Sequence, residues 1–318
     1  MHYCLRRHLT KICESLSRFV PIQSPINYTG SKAKLLPQIL PLFPRDMGSC
    51  VDLFCGGGSV GINVGIYKHC KNIIFNDKSK PLIEIFTLFL HTPFKVLLQE
   101  IESIIESYGL SNTADFGYKY YDCDSQEGLA SYNKKGFERL KNDYNINKSP
   151  IKLFVLLIFS FNNQMRFNAK GAFNLPCGKR DFNTKMRAKL QHFVQELQRL
   201  EPKLLCCDFR DFDLDILDSK DFVYIDPPYL LALASYNENG GWMQQDECDL
   251  YVFMEKLDSI GVRFAFSNVL AHKGREHIVL KEWLKKTGFR VHKLEFHYKN
   301  CNYQTKRTES SEVLVTNY

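Results

Sequence analysis

Asp226-Pro227-Pro228-Tyr229 holds the side chains of this chain best suited to chemistry. The tetrad follows Phe222-Val223-Tyr224-Ile225, an apolar, β-prone run that reads as a buried strand. The strand stops at Pro227, because a proline cannot donate to a central ladder. Two successive prolines keep the backbone extended, so the Asp226 carboxylate and the Tyr229 ring project at the strand's carboxyl end. In open α/β sheets that edge binds ligands. The exocyclic amine of a nucleobase is a poor nucleophile, since its lone pair is delocalised into the ring. Two acceptors, the Asp226 carboxylate and the Pro227 carbonyl, can take its two N–H groups and help localise that pair for attack on an electrophilic methyl carbon. The Tyr229 ring can stack on a base that has left its duplex. Taken alone, the tetrad is equally an acidic strand end followed by a turn.

The elements needed to position such a site are present along the chain. Val51 to Phe54 reads as a buried strand entering Cys55-Gly56-Gly57-Gly58-Ser59-Val60-Gly61, where glycines permit a tight turn and close approach to a ligand. Gly56, Gly58 and Gly61 satisfy the dinucleotide fingerprint, and a second strand, Asn72 to Asn76, ends at Asp77, where a ribose-binding carboxylate is expected. A nucleoside cofactor follows; the fingerprint alone does not separate NAD from others. Upstream, Asn27-Tyr28-Thr29-Gly30-Ser31-Lys32 puts a glycine turn and a lysine before Leu35, Leu36, Ile39 and Leu40 at helical spacing. That is an anion or carboxylate site, or an ordinary helix cap. Cys55 reads as a small packing residue at a strand end.

Helical periodicity runs from Leu82 to about Tyr108, broken near Pro93, and residues 109–135 read as a polar connection. An apolar helix over Ile151 to Phe161 gives way to Asn162-Asn163-Gln164-Met165-Arg166-Phe167-Asn168, then Gly178-Lys179-Arg180. Amides, arginines and aromatics without a period read as a loop or hairpin, and these side chains contact base edges and fill gaps in a stack. Pro176-Cys177 in this loop reads as a coincidental match to a nucleophile dipeptide. Leu190 to Leu200 is an amphipathic helix ending before Pro202. Strands are then expected at Leu204 to Phe209 (carrying Asp208), Phe222 to Asp226, Val262 to Asn268, Phe289 to Tyr298 and Glu312 to Asn317, with helices over Glu247 to Ile260 and His277 to Lys286. The last two strands lack a helix between them, so they should pair antiparallel.

The totals bound the class. A chain of 318 residues, 44% hydrophobic and 24% charged, is a soluble globular protein with room for a core. Its longest apolar run, Leu153 to Phe161, is far short of the roughly 20 residues a bilayer span needs. The eleven cysteines include no Cys-x-x-Cys pair, which argues for a reducing intracellular setting and against a zinc ribbon. Between Asn133 and Lys203 stand 15 Lys and Arg against 5 Asp and Glu, a local +10 in a chain of net +7. A phosphate backbone attracts such a segment, although solvated helix faces also supply such charge. Residues 1–24 are basic and lack a signal-peptide core.

Tyr28-Thr29-Gly30-Ser31-Lys32, Asp52-Leu53-Phe54-Cys55-Gly56-Gly57-Gly58, the Asn/Arg-rich segment and Asp226-Pro227-Pro228-Tyr229 occur here in one order. Together they resemble the Dam-type, alpha-group DNA N6-adenine methyltransferases, and more closely the phage-type Dam enzymes, from about residue 26 to the end. The resemblance implies a seven-stranded class I methyltransferase core, Rossmann-like with a mixed sheet, and an inserted, mainly helical target-recognition domain. The expected parts are an extension over 1–24, core over 25–82, insert over 83–201 and core over 202–318. The implied cofactor is S-adenosylmethionine, leaving as S-adenosylhomocysteine, with no metal. The partner is double-stranded DNA, with no membrane or obligate protein partner, in the cytoplasm of a bacterial or phage-infected cell.

Carried onto these positions, the resemblance assigns Tyr28, Gly30 and Lys32 to the cofactor, Lys32 to its methionine carboxylate. It sets Phe54, Gly56 and Gly58 at the methionine end, Asp77 on the ribose, Phe209 beside the adenine and Asp226 on both cofactor and target amine. Catalysis falls to Asp226, Pro227 and Tyr229. DNA contact falls to Asn163, Met165, Arg166, Asn168, Lys179 and Arg180, with the arginines reading a GATC-type site. Tyr28 and Ser31 stand where many relatives have Trp and Gly. Cytosine N4 and RNA or protein amides are the nearest other substrates; NAD-dependent oxidoreduction and DNA binding without catalysis are the remaining alternatives.

Overall fold

The computed structural model describes residues 19–231, 241–295 and 310–318. Its strands are β1 (Asp46–Asp52), β2 (His69–Asn76), β3 (Lys203–Leu205), β4 (Phe222–Ile225), β5 (Arg263–His272), β6 (Arg275–Glu276), β7 (Arg290–Lys293) and β8 (Ser310–Thr316). They form one sheet in the order β3-β2-β1-β4-β5-β8-β7, with the two-residue β6 folded back on β5. The first five along that path are parallel, and β8 runs antiparallel between β5 and β7. This is the seven-stranded class I methyltransferase sheet, with the expected antiparallel pair at its end. Reversal of β8 has a positional consequence. Its first residues lie beside the carboxyl ends of its neighbours, with Glu312 opposite Val269 of β5.

Central strands are buried on both faces, and alternation sends their side chains to separate cores. Val51, Leu53, Val223, Ile225, Phe264 and Phe266 face one cluster with α7 (Gln244–Ser259) and α8 (Ile278–Thr287). Cys50, Phe222, Tyr224 and Leu314 face the other, under short helical turns at Lys32–Lys34, Leu36–Ile39 and Leu40–Leu42. The glycine motif leads from β1 into α1 (Ser59–Tyr67). Gly58 caps that helix with φ +72°, packed against Phe75, Phe86 and Phe193.

The insert consists of α2 (Lys80–His91), α3 (Phe94–Ser107), α4 (Ala130–Ile146), α5 (Pro150–Phe159) and α6 (Thr184–Leu200). Pro93 separates α2 from α3 as expected. A single cluster joins these helices to the sheet through Ile62, Ile73, Phe75, Phe86, Phe154 and Phe193. The boundary expected at 82 falls inside α2.

Three local readings change. Residues 109–135 are more ordered than a connection: they contain helical turns at Thr113–Phe116 and Tyr118–Tyr121 and the start of α4. The strand expected to run to Phe209 ends at Leu205, and Asp208 instead accepts the Arg210 N–H and caps a 3-10 turn. Such local bonding competes with a ladder. β7 is likewise shorter than Phe289 to Tyr298, of which residues 296–298, like residues 1–18 of the extension, lie outside the described part.

Residues 160–178 form the expected hairpin. Ser160 pairs with Cys177 and Phe167 with Phe173, and the Gly178 N–H donates to the Phe159 carbonyl at 2.7 Å. A Cβ on Gly178 would press into the Ser160 backbone carbonyl. Gly178→Ala should therefore cost about 1–3 kcal/mol, read as a lowered urea midpoint; an unchanged midpoint would contradict this packing.

Candidate active site

The carboxyl ends of β1, β2 and β4 open on one cleft of about 610 Å³. Tyr28, Gly30, Lys32, Phe54, Gly56, Asp77, Phe209, Asp226, Pro227 and Tyr229 all line it. From the insert, Met165 and Arg166 join them. The parallel sheet gathers the acids here: Asp52 ends β1, Asp77 follows β2 and Asp226 follows β4. Gly58 lies behind the lining, so its contribution is to the turn and the helix start.

Asp226 is 17% exposed and pairs with the 5% exposed Lys32, whose Nζ is 2.9 Å from Oδ1. The same ammonium donates to the Gly30 carbonyl at 2.7 Å and lies 4.8 Å from the centre of the Tyr229 ring. Gly30 adopts φ +85°, which turns that carbonyl toward the lysine's reach. Burial raises the Asp226 pKa, and Lys32 opposes the shift. The Tyr229 hydroxyl donates toward Asp226 Oδ1 at 3.2 Å and toward Glu312 Oε2 at 3.3 Å. Behind them the Tyr224 and Ser267 hydroxyls meet at 2.8 Å.

Asp77 accepts the Gly56 N–H at 3.1 Å through Oδ2 and the Ser79 N–H at 2.9 Å through Oδ1. Burial raises its pKa and these two bonds lower it. Asp52 accepts the Gly61 N–H at 2.8 Å, at the start of α1. Gly56, at φ +48°, has the half-buried Tyr28 ring where its Cβ would be, so ring and turn pack without a gap. Across the cleft, Phe54, Phe209 and Trp242 form an aromatic wall with ring centres 5.7–5.8 Å apart. The Trp242 indole donates to the buried Glu247 at 2.5 Å, which also accepts from Tyr251 at 2.9 Å and Asn268 at 2.8 Å.

The donor set fits S-adenosylmethionine. A buried carboxylate stands where ribose hydroxyls need an acceptor, an ammonium where a carboxylate needs a cation, and apolar rings where an adenine needs faces. Among the described residues no three His, Cys, Asp or Glu side chains converge as metal ligands, and no helix is long and apolar enough to cross a membrane.

The residues expected on DNA divide. Met165 and Arg166 reach the cleft, and Arg166 Nε donates to the Asn174 side chain at 2.9 Å. Asn163 donates to the carbonyls of Leu157 and Ile158 at the end of α5. The Asn168 side chain accepts the N–H groups of Lys170 and Ala172, both at 3.0 Å. Both amides therefore shape the hairpin. Lys179 and Arg180 are exposed outside the cleft, on the Gln126 carbonyl at 3.3 Å and the Tyr118 hydroxyl at 3.2 Å. Sequence reasoning missed Asp52, Trp242 and Glu312 as parts of the site. Glu312 carries a legible signal, a lone acid opening the apolar run Val313-Leu314-Val315.

The D12 class N6 adenine-specific DNA methyltransferase family matches residues 28–300, and the chain belongs to that family. It is 40% identical over 303 residues to the modification methylase StsI of Streptococcus sanguinis. The type II methyltransferase M.FokI of Planomicrobium okeanokoites is also 40% identical over 303 residues. Both alignments cover 93% of this chain, which spans 43% of either relative's length. The DNA adenine methylase of Escherichia coli K12 is 23% identical over 279 residues, 85% of this chain and 86% of that protein.

Asp52 provides a test of the site's electrostatics. Burial pushes its pKa up to about 7, the Gly61 N–H opposes this, and Asp226 and Asp77 add to it. A raised acid pKa stabilises the fold below the unfolded value of about 3.9, and the contribution is lost as pH rises through about 7. Asp52→Asn keeps the Gly61 acceptor without the charge. Its urea midpoint should gain on the unsubstituted protein between pH 5 and pH 8; a pH-independent difference would contradict the shift.

Proposed function

We propose that this chain transfers the methyl group of S-adenosylmethionine to N6 of an adenine extruded from duplex DNA. The observation that supports this most is the Asp226 carboxylate. It lies beside the Tyr229 ring on the same cleft as Asp77, Lys32, Met165 and Arg166. Bound there, S-adenosylmethionine supplies an electrophilic methyl on a sulfonium. The chain's own residues supply position and electrostatics. Lys32 holds the cofactor carboxylate, Asp77 the ribose hydroxyls, Phe209 the adenine and Phe54 the methionine end. Asp226 and the Pro227 carbonyl accept the two N–H groups of the target amine, which directs its lone pair away from the ring. Tyr229 offers a ring face to the extruded base, and Met165 helps fill the gap left in the stack. Extrusion costs a few kcal/mol, and the basic insert offsets part of this on the phosphates.

Likeness to the modification methylase StsI and the type II methyltransferase M.FokI supports a role in a restriction-modification system, in the cytoplasm of a bacterial or phage-infected cell. The recognised sequence in this reading is GATC, with Arg166 and Arg180 on guanines, each bidentate pair worth roughly 1–3 kcal/mol of discrimination.

Incubating adenine-unmethylated DNA with methyl-labelled S-adenosylmethionine and identifying the modified base in its context tests each level. N6-methyladenine within GATC, lost in Asp226→Ala, is the expected result. N6-methyladenine in another context would remove the arginine assignment alone, and methylcytosine or no methylated base would overturn the reaction.

A further inference from the structure

Glu312 is a 5% exposed carboxylate that the proposed reaction leaves without a role. It stands 3.3 Å from the Tyr229 hydroxyl, and the same hydroxyl stands 3.2 Å from Asp226. A phenol has one proton, so it can donate to only one of these carboxylates at a time. Asp226, Tyr229 and Glu312 thus form a chain with a single movable hydrogen between a half-buried acid and a buried one. Antiparallel β8 is what places the second acid at this edge.

We propose that Glu312 is the terminal acceptor of the proton that the methylated amine must shed, reached from Asp226 through the Tyr229 hydroxyl. The inference rests on the proposed adenine methylation. Attack on the methyl carbon forms an N–C bond as the C–S bond breaks with its pair on sulfur, leaving N6 cationic with one proton in excess. Asp226 takes that proton and passes it to the Tyr229 oxygen, as the Tyr229 hydroxyl proton passes to Glu312. Base and sulfur end neutral, Asp226 and Tyr229 return to their starting states, and Glu312 holds the proton. Lys32 remains the counter-charge of Asp226 in the resting site.

The surroundings of Glu312 suit this role. Burial raises its pKa first, Lys32 opposes the rise, Asp226 adds to it and the Tyr229 bond opposes it. From β4, Tyr224 completes the titratable groups facing it, and Lys293 and Glu295 lie near it at the sheet edge. The acid must be ionised to accept, so methyl transfer should fall as pH drops through a raised carboxylate range.

Glu312→Gln keeps shape and hydrogen bonding but cannot take the proton. In the sequence context that the unsubstituted enzyme methylates, its single-turnover rate should fall at least about tenfold. Cofactor affinity, and base extrusion read by 2-aminopurine at the target adenine, should stay within about twofold. One protonation should disappear from the acid side of the pH–rate profile, and the solvent deuterium isotope effect should shrink. Tyr229→Phe keeps the ring and breaks the same chain, so the double variant should be no slower than the slower single variant. An unchanged rate and pH profile in Glu312→Gln would overturn the relay, as would a double variant with multiplied losses. Failure of the unsubstituted enzyme to methylate adenine would overturn the underlying reading instead, and with it the relay.

Discussion

The contact on which the site depends is the pairing of Lys32 with Asp226, two side chains held largely away from water at the end of a buried strand. Removing either charge from solvent costs several kcal/mol, which a close partner offsets only with good geometry and further hydrogen bonds. Both conditions hold here. Lys32 is fixed by the Gly30 carbonyl and the Tyr229 ring as well as by Asp226, and Asp226 also receives the Tyr229 hydroxyl. Asp52 and Asp77 rely instead on backbone donors, Gly61 for Asp52 and Gly56 and Ser79 for Asp77. Burial at this edge raises the pKa values of these acids, and neighbouring carboxylates add to the rise at Asp52 and Glu312.

Sheet topology explains why these groups meet. Parallel strands β1, β2 and β4 all deliver their carboxyl ends to one side, so each strand-final acid arrives at the same cleft. β8 supplies Glu312 from the opposite chain direction, which only an antiparallel strand inserted beside β5 can do. The insert shares a hydrophobic core with this sheet through Phe86, Phe154 and Phe193, and Met165 at the cleft packs against that same core. Such packing matters for a reaction that relies on position.

Much of this was legible in the sequence because its signals are local. The run Phe222 to Ile225 stopped by proline, the glycine turn after Val51 to Phe54, and Asp77 closing the next strand are read from neighbouring residues. What escaped depends on distance or on local competition. Trp242 stands in the aromatic wall with its indole bonded to Glu247, which Asn268, remote in sequence, holds in turn. Asn163 and Asn168 look like base-reading amides, yet the backbone takes their hydrogen bonds, at the end of α5 for Asn163 and within the hairpin for Asn168. The strand at Leu204 ends early because Asp208 caps its own turn, a choice that apolar pattern does not reveal. Glu312 was visible as a lone acid before an apolar run, but its meaning required knowing that β8 runs backwards.

The most direct test of the account is a crystal structure with S-adenosylhomocysteine bound. Ligand should lie in the cleft with its ribose hydroxyls on Asp77, its carboxylate on Lys32, its adenine against Phe209 and its methionine end beside Phe54. The face of the ligand carrying sulfur should be open toward Asp226 and Tyr229. Ligand bound away from Asp77, or lying with its sulfur turned from Asp226, would contradict it.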